Sequence, residues 1–383
     1  MKDSNNSKKT QLWITCMFMC IVICFDIVSL VIPDKQFSET ENRMLAGLPE
    51  ITAEGLYDGS LGEDTEKYMS DQFAYRDTWA SISFFVRNTI FNQSEMNGVY
   101  IGSDGYLMLI PSEYDQDALS RKIDAINTVA KNYINVNQCI SVIPNAAAIM
   151  RNKMPEYAKK SGQIQKIKEI CDSLHGIKTC NVSSTFKLHR NEELYYHTDH
   201  HWTTYGAYLA FCEIAPTLDI DPSGFRYNVH RVSESFEGTL ASKSGCHKYK
   251  DIIEIYVPKN ETPVSVTYSD RDEVKGTIYE TEPLGTKDQY AVFLGGNHPV
   301  VTIRTTAETD RTLLLIKDSY ANCFVQFLIP YFDQIIIVDP RYCFDTVDMF
   351  ISQNDVTDIL YLYNADTFMT DTSLTDFLSF SVE

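Results

Sequence analysis

A run of twenty-one mostly apolar residues near the N-terminus, residues 12–32, carries Asp26 as its only charge. As a helix rising about 1.5 Å per residue, it would cross a hydrocarbon layer of ~30 Å. Three lysines among the first nine residues precede it, and the acidic bulk of the chain follows it. Because basic residues mark the cytoplasmic side of a membrane segment, we predict a signal anchor at 12–32, with residues 1–11 inside the cell. The body of this single-pass protein would then be extracytoplasmic.

Two other interpretations of this segment remain open at the sequence level. The stretch before Asp26 could be the hydrophobic core of a cleaved signal peptide, although no small-x-small cleavage site is evident. A buried helix of a soluble protein is the third interpretation, and the terminal position with flanking lysines argues against it.

The overall charge and the lack of nucleotide motifs argue against two classes of function. With 33 Lys and Arg against 52 Asp and Glu, the formal net charge is -19, so we expect no nucleic-acid partner. The sequence has neither a Walker-type nor a dinucleotide-binding glycine motif, and we expect no cofactor. Three of its ten cysteines lie in the apolar run, and the others show no CxxC spacing, which argues against a zinc ribbon or a full disulfide framework.

Two further regions follow the predicted anchor. Residues 33–110 combine a polar linker, a helical segment from about 56 to 91 and a hairpin at 98–109. Residues 111–383 form the predicted catalytic domain, in which short apolar strands alternate with helices. At about 222–308 this domain is interrupted by a Thr-, Val- and Tyr-rich segment, which we predict to be a β-rich insertion.

The apolar strands of the larger region each end in polar residues before a helix begins. They are predicted at 139–145, 177–184, 312–320, 335–340 and 359–364. Continuous apolar strands that alternate with helices are typical of a parallel sheet covered on both faces, so we expect a three-layer α/β fold. In such sheets the site lies outside the carboxyl ends of the strands.

Two places in this region carry side chains suited to nucleophilic catalysis. Ser319 follows an apolar strand and begins the next helix, where its hydroxyl can reach solvent and its amide N–H can face an oxyanion. A serine nucleophile needs a base that a carboxylate holds, and Asp199 and His201 lie two residues apart on one loop. A Ser-His-Asp triad is one interpretation of these residues.

Two other interpretations stay open on the residues alone. Ser319 could simply cap a helix, as many serines do. The loop at 197–202 could instead bind zinc through its three histidines and its aspartate, namely His197, Asp199, His200 and His201. No other cluster of His, Asp or Glu in the sequence supplies an obvious further ligand, and we expect no metal.

The same residues resemble a known family. The segment TDHHWTTYGAY (198–208), with IKDSYAN (316–322) far downstream, is similar to the DHHW proteins of bacteria. These are relatives of the AlgJ/AlgX-type alginate O-acetyltransferases in the SGNH-hydrolase superfamily. The resemblance extends over most of the chain beyond the anchor, through DQFAYRD (71–77), FLGGNHP (293–299) and VDPRY (338–342).

The resemblance implies roles for individual residues. Asp199 matches the family's catalytic aspartate, His201 its general base and Ser319 its nucleophile. Because the aspartate and histidine precede the serine, the reverse of ordinary SGNH esterases, the resemblance implies a circularly permuted SGNH-hydrolase-like sheet. His200 departs from the pattern, since the AlgJ/AlgX type has a small polar residue there, and Trp202 is the other loop neighbour of the base.

Four further candidates would bind the substrate or an oxyanion. Asn364 ends a strand where SGNH enzymes often place an oxyanion-hole asparagine, and Asn297 is the alternative, unless its loop is simply a turn. Arg341 could bind a carboxylate of the acyl or sugar group, or pair with one of the many surface acids. Tyr320, which follows the candidate nucleophile, is the fourth.

As a whole, the resemblance implies an O-acetyltransferase or acetylesterase that moves an acetyl group to or from a hydroxyl of a cell-surface polysaccharide. It further implies a membrane-bound O-acyltransferase as the partner that supplies the acetyl group, and neither a metal nor a nucleotide. The alternative is a catalytically inactive protein of the same fold that binds or assembles surface polysaccharide.

Overall fold

The computed structural model describes residues 2–38, 43–260 and 262–379, so residues 39–42 of the predicted linker lie outside the described residues. The chain forms two compact units, Met1–Gln93 and Ser94–Glu383. We predict the hairpin at 98–109 in one region with the linker, at 33–110, whereas in the structure it belongs to the second unit. The reason is a contact distant in sequence, since Leu107 N–H donates a 2.8 Å hydrogen bond to the His197 carbonyl oxygen.

The first unit begins with the apolar run as one helix, α1 (Lys2–Val31), which ends two residues before Pro33. Within α1, Lys9–Ser29 is long and apolar enough to cross a membrane, and no part of its apolar window is buried. An antiparallel strand pair and three helices follow, with a π-turn at Val86–Ile90 after the last: β1 (Phe37–Ser38), β2 (Arg43–Met44), α2 (Ala53–Asp58), α3 (Ser60–Asp71) and α4 (Arg76–Phe85).

The second unit opens with a three-stranded antiparallel sheet that contains the predicted hairpin: β3 (Glu95–Met96), β4 (Val99–Ile101) and β5 (Leu107–Leu109). The later strands are β6 (Asn137–Ile143), β7 (Lys178–Thr179), β8 (Tyr227–Phe236), β9 (Asp251–Pro258), β10 (Val264–Tyr268), β11 (Arg271–Lys275), β12 (Val300–Thr305), β13 (Thr312–Lys317), β14 (Gln334–Val338) and β15 (Asp358–Asn364). The helices are α5 (Gln116–Asn132), α6 (Ala146–Ile149), α7 (Gln163–Ser173), α8 (Ser183–Leu188), α9 (Thr204–Ile214), α10 (Thr239–Ser244), α11 (Val347–Gln353), α12 (Ala365–Thr370) and α13 (Ser373–Phe377).

The main sheet has eight strands in the order β11-β10-β12-β14-β13-β15-β6-β7. From β14 to β7 all neighbours run parallel, as the alternation of strands and helices predicts. The predicted parallel sheet continues at the other edge into β12, β10 and β11, which pair antiparallel. These three strands come from the β-rich insertion, and the connection between β10 and β11 is too short for a parallel crossover. The insertion's other two strands, β8 and β9, form a separate antiparallel pair.

The central strands bury alternate side chains in two separate cores. Along β13, Leu313 and Leu315 lie in one core, and Leu314 and Ile316 lie in the other. Helices α5, α7 and α13 contribute to the second core and α9 to the first, so the unit has three layers. After β13 the chain forms short 3-10 turns rather than the helix predicted to begin at Ser319. The parallel strands β6, β13, β14 and β15, which lie between these cores, have their carboxyl ends on the same side of the sheet.

Candidate active site

Ser319 lies just past the carboxyl end of β13 and begins a 3-10 turn, Ser319–Cys323. The preceding residue, Asp318, is buried and fixes this strand end. Its carboxylate accepts hydrogen bonds from the backbone N–H of Tyr320 at 3.0 Å and of Asn364 at 2.9 Å, and so joins the ends of β13 and β15. Ser319 itself is half-buried, and its own N–H donates to no group in the described part of the chain.

The loop at 197–202 reaches this strand end through contacts with distant segments. The Asp251 carboxylate, at the start of β9, accepts hydrogen bonds from the N–H of His197 and the N–H of Thr198, both at 2.8 Å. At the other end of the loop, the indole Nε1 of the buried Trp202 donates to the Tyr320 carbonyl oxygen at 2.8 Å. The loop is therefore tied to the 3-10 turn that carries Ser319.

These constraints bring three of the sequence candidates into one hydrogen-bonded chain. His201 Nδ1 lies 2.5 Å from Asp199 Oδ1, and His201 Nε2 lies 2.8 Å from Ser319 Oγ. An ionised carboxylate can only accept, so Nδ1 carries the proton and Nε2 accepts from the serine hydroxyl. The serine is thereby placed to lose its proton to the imidazole.

The Asp199 carboxylate is saturated with hydrogen-bond donors. Besides both N–H groups of His201, it accepts from Thr239 N at 2.8 Å and Thr239 Oγ1 at 2.9 Å. Burial by itself would raise the pKa of Asp199, but the neighbouring imidazoles of His200 and His201 and these hydrogen bonds hold it well below its usual range. Gly238 packs directly against this carboxylate, and a Cβ at that position would overlap the Asp199 side chain.

The geometry also bears on the zinc interpretation. Asp199, His200 and His201 each bring one potential ligand atom within 4.8 Å of the others. His197 does not join them, because its Nδ1 lies 3.1 Å from Asp251. Both oxygens of Asp199 are already used by protein donors, and His201 Nε2 faces Ser319. This arrangement suits proton transfer better than metal coordination.

His200 lies beside the hydrogen-bonded chain. Its ring centroid is 3.9 Å from that of His201, and its Nδ1 lies 2.8 Å from Thr239 Oγ1. Burial, followed by the neighbouring His201, lowers the pKa of His200 to about 4. His200 is therefore uncharged at neutral pH.

Comparison with known proteins identifies a family whose match includes the residues of this site. A family model described as "DHHW protein" matches residues 89–338, a range that contains Asp199, His201 and Ser319. The chain belongs to the DHHW family. No curated protein matches the sequence at a significant level.

Several solved structures resemble about three quarters of this chain. A DHHW family protein from Eubacterium siraeum shares 25% identity over 74% of this chain and 95% of its own, with a TM-score of 0.63. Bacillus cereus PatB1, solved with a sulfonyl adduct, shares 20% identity over 72% of this chain and 97% of its own, with a TM-score of 0.60. The O-acetyltransferase domain of Pseudomonas putida AlgJ is more distant, at 12% identity over 72% and 94% and a TM-score of 0.46.

The two asparagine candidates of this DHHW protein have different surroundings. Asn364 is buried, its Oδ1 caps α12 by accepting from Asp366 N at 2.9 Å, and its Nδ2 donates to Asn145 Oδ1 at 2.5 Å. Asn297 is exposed, and its Oδ1 accepts from Lys317 Nζ at 3.4 Å and from an amide of the 3-10 turn. The amide nitrogen of Asn297 is therefore directed away from Lys317.

The other two candidates are engaged with protein groups. Arg341 donates to the buried Asp339 carboxylate through Nε at 2.8 Å and a terminal nitrogen at 2.6 Å, so this guanidinium pairs with an acid two residues away. Tyr320 is buried, and its hydroxyl donates to the His200 carbonyl oxygen. Both side chains hold the loops of the site in place.

One side chain at this site is not indicated by the sequence. Tyr290, in the insertion, stacks on the His201 ring at a centroid distance of 3.9 Å and an interplanar angle of 13°. Its hydroxyl donates to the Ser319 carbonyl oxygen at 3.2 Å, and burial raises its pKa well above the usual value, so it remains protonated. No local motif marks Tyr290, because its role depends on residues 89 positions away in the loop and 29 positions away in the turn.

Proposed function

We propose that this DHHW protein is a membrane-anchored, extracytoplasmic O-acetyltransferase, or acetylesterase, that acts on a cell-surface polysaccharide. The observation that supports it most strongly is the hydrogen-bonded chain from Asp199 through His201 to Ser319. Each distance in this chain is short enough for proton transfer, and the order of groups is that of a serine nucleophile, its base and an orienting carboxylate.

The proposed reaction has two halves. In the first, Ser319 Oγ attacks the acyl carbonyl carbon while its proton moves to His201 Nε2. The tetrahedral intermediate then collapses, the bond to the leaving oxygen or sulfur breaks, and His201 returns the proton to that leaving group. In the second half, His201 takes a proton from a sugar hydroxyl or water, which attacks the acetyl ester and releases Ser319 with its proton restored.

Two groups are the proposed donors to the oxyanion. The first is the Ser319 N–H, which has no other partner in the described residues. Ser319 begins a helical turn, where backbone N–H groups are not used by the turn itself. The Nδ2 amide of Asn297 is the second, because its oxygen is turned toward Lys317 and Asn322. Asn364 would support the site by joining strand ends.

The acetyl and polysaccharide parts of the proposal rest on family membership and on the motifs shared with alginate O-acetyltransferases. The order Asp199, His201, then Ser319 along the chain fits the proposed circular permutation of an SGNH-type sheet. PatB1, a neighbour of similar fold, was solved with a sulfonyl adduct, and sulfonyl reagents are therefore suitable probes for Ser319.

Membrane anchoring by α1 would place the reaction outside the cell. The lysines before the apolar segment favour this orientation. An acetyl group available outside the cell has to cross the membrane, so a membrane-bound O-acyltransferase is the proposed supplier.

The proposal is tested with an activated acetyl ester, p-nitrophenyl acetate, in the presence and absence of a de-acetylated oligosaccharide. We expect acetyl release by the wild-type chain, and acetylated sugar if the chain is a transferase. Ser319→Ala should abolish both. Ser103→Ala is the matched control, since exposed Ser103 likewise begins a 3-10 turn after a strand. Sugar binding without any acetyl release would favour the inactive polysaccharide-binding protein.

A further inference from the structure

The helical segment that ends the first unit carries an apolar stripe. Trp79, Ile82, Val86 and Ile90 follow one another at intervals of three or four residues, which places them on one face of α4 and its π-turn. Tyr75, which precedes α4 in a left-handed conformation, is also exposed. Trp79, Ile82 and Ile90 are 43%, 46% and 64% exposed. A continuous stripe of large apolar side chains at the surface indicates a surface that contacts something other than water.

The start of α4 is held against the carboxyl end of α1. The Phe25 ring lies 5.4 Å from the Trp79 ring, edge to face, and 6.2 Å from the Phe73 ring. Close by, Ala74 N–H donates to Ser29 Oγ at 3.0 Å. These contacts lie within the first unit and join the apolar stripe to the helix that could span a membrane.

The contact with Phe25 sets the depth of the stripe. The membrane-capable segment ends at Ser29, four residues after Phe25, which corresponds to about 6 Å along a helix. In a membrane-spanning α1, side chains that pack on Phe25 would share its depth, which would lie near the boundary between headgroups and hydrocarbon. Tryptophan is enriched at that boundary because its ring is apolar and its N–H is polar.

We propose that the helical segment of residues 76–90 lies in the membrane–water interface on the outer side, with the stripe against lipid. The opposite face carries the polar residues Asp77, Ser81 and Asn88 beside Phe84, which is buried in the protein. Arg87 is exposed beside the stripe, where it can reach lipid phosphates, whereas Arg76 pairs with Asp71 at 3.9 Å. This inference rests on the proposed anchoring by α1, and it adds a second contact of the chain with the membrane.

The test measures tryptophan fluorescence of the full chain in vesicles of phosphatidylcholine and phosphatidylglycerol in equal parts. The three tryptophans of the chain report on three different places. Trp13 lies in α1, Trp79 in the stripe and Trp202 in the buried core. In a Trp13→Phe chain, lipids brominated on the upper part of their acyl chains should quench the Trp79 emission about twofold. Bromine quenches only rings close to it, and the apolar face of an interfacial helix lies at the upper part of the acyl chains. Aqueous iodide should leave that emission unchanged, and the chain with both Trp13→Phe and Trp79→Phe should show no quenching by lipid.

A matched pair of substitutions separates the stripe from the rest of the segment. Ile82→Glu should remove the quenching of Trp79 by lipid, whereas Ser81→Glu, on the polar face, should retain it. Trp79 emission that iodide quenches and brominated lipid does not would overturn the inference, and protection from both would indicate a covering protein instead. The Trp79→Phe chain tests anchoring separately: if Trp13 is not quenched by lipid, the anchor itself is refuted, whereas a quenched Trp13 with an unquenched Trp79 refutes only the interfacial helix.

Discussion

His201 is held from two sides, by Asp199 at Nδ1 and by the Ser319 hydroxyl at Nε2, and its ring is covered by Tyr290. We expect His201→Ala to lower the rate of acetyl-ester hydrolysis by about 10⁴-fold, as the loss of a triad member does. His200→Ala should change the rate only modestly, because His200 contacts Thr239 rather than the serine. Steady-state kinetics of the two variants check this, and equal losses would contradict a distinct role for His201.

The zinc interpretation gives the opposite result with chelators. We expect activity to be unchanged by EDTA, because the Asp199 oxygens and His201 Nε2 are engaged in hydrogen bonds along the proposed proton path. Metal analysis by mass spectrometry, together with the activity after dialysis against EDTA, provides the check. A stoichiometric zinc that is lost together with activity would mean that Asp199, His200 and His201 form a metal site.

The lowered pKa of His200 predicts a pH-dependent stability. The pKa of His200 is about 4 in the folded chain, against 6.5 for an ordinary histidine, so between these values the unfolded state binds more protons. Its contribution to stability is complete above about pH 6.5 and is lost as the pH falls toward 4. We expect His200→Gln to reduce the fall in stability over this window by about 1 to 2 kcal/mol, a value discounted for partial exposure. Thermal unfolding of the wild-type and His200→Gln chains at pH 7 and 4.5 measures this difference. An equal fall in stability of the two chains would contradict the prediction.

The sequence predicts individual site residues where a motif carries them, and otherwise does not. Asp199, His201 and Ser319 could be predicted because the loop and the strand end that carry them are recognisable motifs. The structure brings the three side chains together. Arg341 illustrates the limit, since its pairing with Asp339 depends on side-chain geometry that the sequence leaves undetermined. Tyr290 lies in the insertion and reaches His201 only through the fold.

At the level of elements, Gly238 approaches Asp199 of the loop at 197–202 so closely that a single added methyl group should strongly affect activity and stability. Gly238→Ala would force the new Cβ against Asp199, and we expect a loss of activity together with a loss of about 1–3 kcal/mol of stability from overpacking. Gly285→Ala, in the same insertion, is the control, because a methyl group added there would meet no atom within 4 Å. Thermal unfolding and hydrolysis rates check both, and a fully active Gly238→Ala chain would contradict the role given to this close approach.

The sheet shows which element predictions depend on neighbours. The apolar runs of β6, β13, β14 and β15 identify the parallel centre, because each strand is buried on both faces. The three antiparallel strands of the insertion are identified as β-structure but not as part of the same sheet, since their partners are determined by long-range pairing. The turns after β13 show the same limit, because their local apolar content predicts a helix that the packing of the fold replaces with 3-10 turns.

For the whole molecule, the proposed anchoring by α1 predicts where a protease can act. With the N-terminus inside and the body outside, protease added to intact cells should digest the chain after about residue 40 and leave the α1 segment protected. Immunoblotting with tags at the two ends, before and after lysis, gives the measurement. Complete protection of the C-terminal tag in intact cells would refute the orientation.

The central claim is that Ser319 forms an acyl-enzyme with help from His201. The most direct measurement is mass spectrometry of the chain after brief reaction with the activated acetyl ester and an acid quench. We predict one acetyl group on the peptide that contains Ser319, its absence in Ser319→Ala, and its removal when a sugar acceptor or time for hydrolysis is given. Equal acetylation of the wild-type and Ser319→Ala chains, or acetyl transfer without any adduct on Ser319, would contradict the claim.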